Sequence, residues 1–220
     1  EGSVRIATSP IHFGMTAPGL FSDPKNREYQ SLLPGAKWMH LTKVPTAWKD
    51  APEADLSRLP ARYGYADLVQ VVNQPQTKNE SPAWTTATFT EAGYLWFALK
   101  DPSVLNSTVF WMENHGRHGH PWNGRNNCLG LEDVTAFFAE GLAASTQKNA
   151  LTQQGIQTAL TFRADQPTSV FYIQGVVKIP AGFEQVKNLE FGADVITFHS
   201  IHGIKVIAPV RHTFLREGTL

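Results

Sequence analysis

The sequence has one cysteine, no net charge and no long apolar run. Because Cys128 stands alone among 220 residues, no internal disulfide can form, which excludes the disulfide-rich secreted class. Nineteen basic residues balance nineteen acidic ones, so no whole-chain field attracts nucleic acid or an anionic membrane. The sequence also lacks the run of about 18 apolar residues that a membrane span needs. We therefore expect neither a nucleic acid nor a membrane as a partner.

The amino terminus lacks the features of a start or a leader. The first 14 residues, EGSVRIATSPIHFG, have a strand-like sequence and contain no initiator methionine, charged leader or apolar signal core. We expect either that a leader was removed or that this is a piece of a longer protein. If no leader was removed, we expect the protein to be located in the cytoplasm.

Long helical periods are also scarce, whereas strand-like segments are frequent. Eleven segments after residue 66 are rich in β-branched and aromatic residues, and Gly, Pro, Asn or Asp separates most of them. They are DLVQVVN, WTTATFT, GYLWFALK, STVFWMEN, CLGLE, QTALTF, SVFYIQGVVKI, VKNLEF, DVITFHS, IKVIAPV and HTFL. Their close spacing predicts a mostly β protein, an antiparallel sandwich or barrel, in a single domain.

Fewer features are predicted elsewhere. A short strand is expected over residues 37–43, between two proline-rich connections at residues 14–34 and 44–64. The second connection is about 20 residues long, which is typical of a functional rim or lid. One helical insert is expected to begin at Asp133 as its cap and to place Val134, Phe137, Phe138 and Leu142 on one face. A second helical turn from Ser145 would end at Gly155.

Residues 108–133 concentrate the side chains that could carry chemistry. Arg117, His118, Trp122, Asn123 and Arg125 suit a sugar, because an aromatic ring can lie on a pyranose while arginine and amide groups bind its hydroxyls. The same arginines could equally hold the loop by bonding carbonyls or stacking on tryptophan.

The histidines of this loop raise a second hypothesis, a metal site. His115, His118 and His120 follow an H-x-x-H-x-H spacing that could converge on zinc or nickel, with Cys128 as a fourth ligand. No carboxylate or second cysteine stands at a usual ligand spacing, however. We therefore expect no metal or other cofactor, and Cys128 is expected to be a small buried strand residue.

The stretch WMENHGRHGHPWNGRNNCLGLEDVTAFF resembles the aldose 1-epimerase (galactose mutarotase-like) superfamily, especially its uncharacterised bacterial members. The matching residues are Trp111, Asn114, Gly116, Arg117, His118, Pro121, Trp122, Asn123, Gly124, Arg125, Gly130, Leu131, Glu132 and Asp133. Weaker similarity extends through FEQVKNLEF to HTFL and back to PIHFGMTAPGL. The resemblance implies a supersandwich that binds a sugar on a concave sheet face, here without the family's first strands.

The resemblance also implies an isomerase that opens the sugar ring by general acid and base catalysis. The residue that matches the family's base is Glu132, which we expect to be partly buried, with a raised proton affinity; the alternative is a charge at a helix start. The family's acid histidine corresponds to Pro10, and His12, two residues on, would face the same side of a strand. Asp67 resembles an aspartate that binds sugar hydroxyls.

Alternatives to each of these roles remain open. His12 is equally explained as an ordinary strand histidine, and Asp67 as turn chemistry. For the whole protein, the alternatives to an epimerase are a non-catalytic sugar-binding or sugar-sensing protein and a metal-dependent β-sandwich protein. The sequence does not specify the sugar or the oligomeric state.

Overall fold

The computed structural model describes residues 3–19, 22–60, 62–75 and 81–218. It confirms a mostly β protein of several antiparallel sheets arranged like a sandwich. The strands of the described residues are β1 (Val4–Thr8), β2 (Ile11–Thr16), β3 (Lys37–Trp38), β4 (Val44–Pro45), β5 (Glu53–Ala54), β6 (Arg58–Leu59), β7 (Tyr65–Asn73), β8 (Ala83–Phe89), β9 (Tyr94–Lys100), β10 (Ser107–Asn114), β11 (Asn127–Val134), β12 (Tyr172–Lys178), β13 (Val186–Gly192), β14 (Val195–Ser200) and β15 (Lys205–Pro209). The described residues also form two short α-helices, α1 (Gly141–Thr146) and α2 (Phe214–Glu217).

Most of the described strands form three layers, and β4 and β5 pair with each other in a separate two-stranded sheet. A central sheet has the order β12-β9-β8-β1-β6, a front sheet the order β11-β10-β7-β2-β3, and a back sheet the order β13-β14-β15. Side chains along β9 alternate between the two neighbouring layers, as the two-residue period of a strand requires. Trp96 packs into the core shared with the front sheet, whereas Leu95, Phe97 and Leu99 pack against the back sheet. The central sheet is therefore covered on both faces.

The front sheet also has two covered faces. Val69 and Phe110 lie on its inner face, towards the central sheet, and Leu68 lies on its outer face. The segment that follows β11 covers part of that outer face with the ring of Phe138. Gln70 on β7 fixes this segment, because its side chain donates to the carbonyl of Ala136 and accepts from the amide of Phe138, both at 2.8 Å.

The predicted helical insert is only partly correct. Val134 ends β11, and a regular helix begins only at Gly141. The backbone between them is irregular because Phe138 adopts a left-handed conformation with φ of 47°, as does Gly141 with φ of 83°. The prediction that Gly155 ends a helical turn is confirmed, since it follows a 3₁₀ turn with φ of 78°.

Other differences concern short segments. The predicted strand over residues 37–43 is reduced to β3, and the connection after it contains the small strands β4, β5 and β6. Residues 157–162 pair with no strand in the described part of the chain, and Phe162 is exposed there. The HTFL segment contributes to α2 instead of a strand. Strand-like composition over four to six residues does not by itself supply a neighbouring strand edge. No helix of the described residues is long and apolar enough to cross a membrane.

A buried polar network ties the front and central sheets together at one end. Lys100 is 1% exposed, and its Nζ lies 2.6 Å from Asp133 Oδ1, 2.8 Å from Thr108 Oγ1 and 2.6 Å from the carbonyl of Ser107. The hydroxyl of Tyr172 donates to the other oxygen of Asp133 at 2.9 Å. The expectation that Asp133 caps a helix is therefore wrong: it lies within β11 and compensates a buried lysine.

This network makes stability depend on pH. Burial lowers the pKa of Lys100 to about 8, although the neighbouring Asp133 favours the charged form. Between pH 8 and about 10 the unfolded chain therefore holds a proton on Lys100 that the folded protein has lost, so the free energy of unfolding rises with pH. Relative to Lys100→Met, we expect a rise of about 2 kcal/mol over this interval, measured by urea unfolding.

Groups outside this network titrate alike in both proteins and cancel in that comparison. Burial raises the pKa of the Tyr172 hydroxyl, so above about pH 10 its unfolded form releases a proton that the folded form keeps, which lowers stability. Equal pH profiles for the wild type and Lys100→Met between pH 8 and 10 would contradict the prediction.

Candidate functional site

The loop of residues 115–126 joins β10 to β11 and is fixed mainly by its own backbone. His115 adopts a left-handed conformation with φ of 62°, its amide donates to the carbonyl of Asn126 at 2.7 Å, and its ring stacks on Tyr63. Its Nδ1 lies 2.8 Å from the carbonyl of Gly124. Asn123 and Gly124 are also left-handed, with φ of 53° and 65°, and form the turn that returns the chain. The loop therefore has a defined shape.

Glu113, the second-to-last residue of β10, anchors the beginning of this loop. Its Oε1 accepts from the amides of Gly116 at 2.8 Å and Arg117 at 3.0 Å. The side chain is 2% exposed, and its Oε2 has no hydrogen-bond partner among the described residues. Burial raises the pKa of this carboxyl, and nearby Glu28 adds to the effect, while the two amides and Arg117 oppose it.

Sequence reasoning missed Glu113. The available signal was its position two residues after Trp111 on a strand that alternates, which places the carboxylate on the same face as that ring. A carboxylate at that position, just before Gly116, can reach the free amides of the following loop.

Aromatic and charged side chains cluster where the loop meets the outer face of the front sheet. Trp122 contacts Trp111 in an edge-to-face arrangement, with ring centroids 5.9 Å apart. The guanidinium of Arg117 lies 5.2 Å from the Trp122 ring, and its Nε is 3.5 Å from Glu28 Oε1. His118 lies 3.4 Å from Arg27 through its Nδ1. Arg117 therefore lies over a tryptophan ring, as the predicted loop-holding alternative for the arginines requires, and its guanidinium is also held by a carboxylate.

Gly130 lies beside Trp111 on the same face of the front sheet. It is opposite Trp111 in the β10–β11 ladder. A methyl group on Gly130 would lie 2.8 Å from Glu132 Oε1 and 3.3 Å from Trp111 Cβ, so the glycine lets both side chains lie against the backbone of β11. Glu132 itself is exposed, contrary to the partial burial expected from the sequence. The two tryptophans, the guanidinium and the carboxylate therefore form one surface, the tryptophan face, which consists of Trp111, Trp122, Arg117, Gly130 and Glu132.

His12 is not part of the tryptophan face. It is exposed at an irregularity in the pairing of β2 with β7. The strands β7 and β10 separate β2 from β11, so about 14 Å of sheet lies between His12 and Glu132. Phe138, held onto β7 by Gln70, covers the sheet between them.

Asp67 lies on the inner face of the front sheet, away from Glu132. It is buried and accepts hydrogen bonds from the amides of Ser31 and Leu32, both at 2.9 Å, and from the Ser31 hydroxyl. Burial raises the pKa of its carboxyl despite these donors. Asp67 therefore fixes the chain at residues 31–32.

The remaining predicted residues are spread over the loop. Asn123 and Arg125 are exposed, and His120 is exposed next to Pro121. The described residues contain no group of three His, Cys, Asp or Glu side chains that could hold a metal ion. Cys128 is exposed, so its predicted burial is wrong; its place on β11, at the edge of the front sheet, explains the exposure.

No protein-family model, curated protein or solved structure matches this chain.

Proposed function

We infer that the protein binds a carbohydrate on the tryptophan face. The observation that carries the inference is the meeting of two tryptophan rings, a guanidinium and an exposed carboxylate on one face of the front sheet beside Gly130. Trp122 supplies an apolar plane of the kind that lies against a pyranose ring. Arg117 can donate to sugar hydroxyls and Glu132 can accept from them, so the face offers both a donor and an acceptor to a hydroxyl.

The arrangement favours binding because its geometry is fixed before a ligand arrives. Glu113 holds the amide of Arg117, and Glu28 holds its guanidinium. A preorganised surface loses little conformational entropy on binding.

A second candidate is aldose 1-epimerase-like catalysis on the same face, with Glu132 as the base. Its exposed carboxylate beside Trp111 could take the proton from an anomeric hydroxyl. Ring opening also needs an acid at the ring oxygen. His12, the predicted acid, is separated from Glu132 by the two strands β7 and β10 and by the Phe138 ring that covers them. The binding function is therefore the better supported of the two.

Saturation-transfer NMR with D-glucose and D-galactose tests the proposal. We expect saturable binding to the intact protein, weakened about tenfold by Trp122→Ala, because a lost aromatic platform costs about 1.4 kcal/mol. Phe162→Ala is the matched control, since that ring is 65% exposed outside the tryptophan face and its loss should leave binding unchanged.

The same samples separate the two candidates. Exchange NMR of freshly dissolved sugar reports anomer interconversion, which only the epimerase accelerates, and Glu132→Gln should then abolish the acceleration. Binding without acceleration supports the binding function. If neither sugar binds, or if Trp122→Ala and Phe162→Ala behave alike, the proposed face is wrong.

A further inference from the structure

A cleft of about 540 Å³ lies between the front and central sheets, on the side of the front sheet opposite the tryptophan face. It occupies the end of the interlayer space away from Lys100 and Asp133. The ion pair of Lys100 and Asp133 links the two sheets at the opposite end. The cleft lies between the start of β9 and the end of β10. Its volume is within the range of sites that enclose drug-sized ligands.

The central-sheet wall of the cleft is aromatic. Phe89 and Tyr94 lie opposite each other at the β8–β9 turn and stack with centroids 4.5 Å apart and planes 20° from parallel. Trp96 continues this wall, and Val176, opposite it on β12, borders the cleft with 63% of its side chain exposed. Val176 therefore stands at the mouth.

The front-sheet wall is aliphatic. Met112, Leu129 and Leu131 project from β10 and β11 towards the aromatic wall and pack against the shared core. An apolar surface of this extent open to water is unfavourable unless a ligand or a partner covers it. The walls are close enough that a small molecule can contact both.

The polar groups of the cleft select against an anionic ligand. Two carboxylates border it: both oxygens of Asp67 accept hydrogen bonds from Ser31 or Leu32, and Glu113 Oε1 accepts from the amides of Gly116 and Arg117. The described residues that line the cleft include no lysine or arginine to balance an anion. Tyr65 and Asn127 supply neutral hydrogen-bonding groups at one end.

We propose that this cleft binds a neutral, mainly apolar small molecule with a hydroxyl or carbonyl group at one end. The aromatic and aliphatic walls enclose its body, and the asparagine and tyrosine end receives its polar group. A carboxylate or sulfonate on the same skeleton is disfavoured because it would enter an apolar site without a compensating cation. The proposal is independent of sugar binding, which concerns the other face of the front sheet.

Two probes of the same shape test the charge selection. N-phenyl-1-naphthylamine is neutral, and 1-anilinonaphthalene-8-sulfonate is the same ring system carrying a sulfonate. Fluorescence titration of the full chain should show saturable one-to-one binding of the neutral probe, at least tenfold tighter than the sulfonate. No saturable binding, or equal affinity for the two probes, would overturn the proposal.

A matched pair of variants tests the location. Val176→Trp adds bulk at the mouth and should weaken binding of the neutral probe at least tenfold. Ile207→Trp makes the same kind of change at a β15 residue that is 64% exposed on the back sheet, and should leave binding unchanged. Equal effects of the two changes would place the probe elsewhere.

A measurement on the unchanged protein decides the matter if Val176→Trp does not fold. Binding of N-phenyl-1-naphthylamine should shift the methyl NMR signals of Val4, Leu129 and Leu131, which border the cleft. Shifts confined to methyl groups of the back sheet would overturn the proposal.

Discussion

Replacing Asp133 with asparagine should lower the free energy of unfolding by about 3–5 kcal/mol at pH 7, because it leaves a buried lysine without its counter-charge. Lys100 and Asp133 are both almost fully buried, so water cannot replace the lost carboxylate. Asparagine keeps the size of the side chain, which separates loss of charge from loss of packing. Urea unfolding measures the change.

The chain contains its own control for this change. Asp165 accepts two hydrogen bonds from Arg163, but both side chains are well exposed, so Asp165→Asn should have no measurable effect on unfolding. Equal effects of the two substitutions would show that burial of the first pair is unimportant.

A double variant tests the physical reason. If the cost comes from an uncompensated buried charge, then Lys100→Met combined with Asp133→Leu should recover most of the stability that Asp133→Asn loses. If the double variant instead loses as much stability as Lys100→Met and Asp133→Leu lose separately and in sum, the shape and hydrogen bonds of the network, including that of Tyr172, are the cause.

The layered β architecture was predictable because its strands are long and strongly patterned. The segment DLVQVVN became β7, and alternation in GYLWFALK matches the two faces of β9, with Trp96 on one side and Phe97 on the other. Shorter segments were not predictable in the same way. Residues 157–162 have strand-like composition, but no neighbouring strand among the described residues pairs with them.

The site was predictable as a region and less so in its details. The grouping of Arg117, His118 and Trp122 follows from their places in one short loop. The partner of Asp133 lies 33 residues away on another sheet, and pairing over that distance leaves no local pattern. Similarly, the exposure of Glu132 depends on the edge position of β11, which only the assembled sheet determines.

Replacing Gly116 with alanine should lower the free energy of unfolding by about 3 kcal/mol and displace the loop that carries the tryptophan face. A methyl group there would lie 2.1 Å from the carbonyl carbon of Tyr65 and 2.3 Å from the amide nitrogen of Ala66. Both atoms belong to the backbone of β7, which is fixed there by its pairing with β10 and by the hydrogen bond from the Ala66 amide to the carbonyl of Tyr29. The loop must therefore move, which breaks the hydrogen bond from the Gly116 amide to Glu113.

Gly119→Ala is the matched control within the same loop. A methyl group at Gly119 would lie 3.4 Å from Glu28 Oε1 and 3.8 Å from Asn26 Cβ, both side-chain atoms at ordinary contact distance, so the backbone need not shift. We expect Gly119→Ala to unfold like the wild type and to bind sugar equally well, whereas Gly116→Ala weakens sugar binding at least tenfold because Trp122 moves with the loop. Urea unfolding and saturation-transfer NMR measure the two effects separately. If both variants are as stable as the wild type, the close approach of Gly116 to β7 does not fix the loop. If Gly116→Ala loses stability but keeps its sugar affinity, the sugar binds away from the loop.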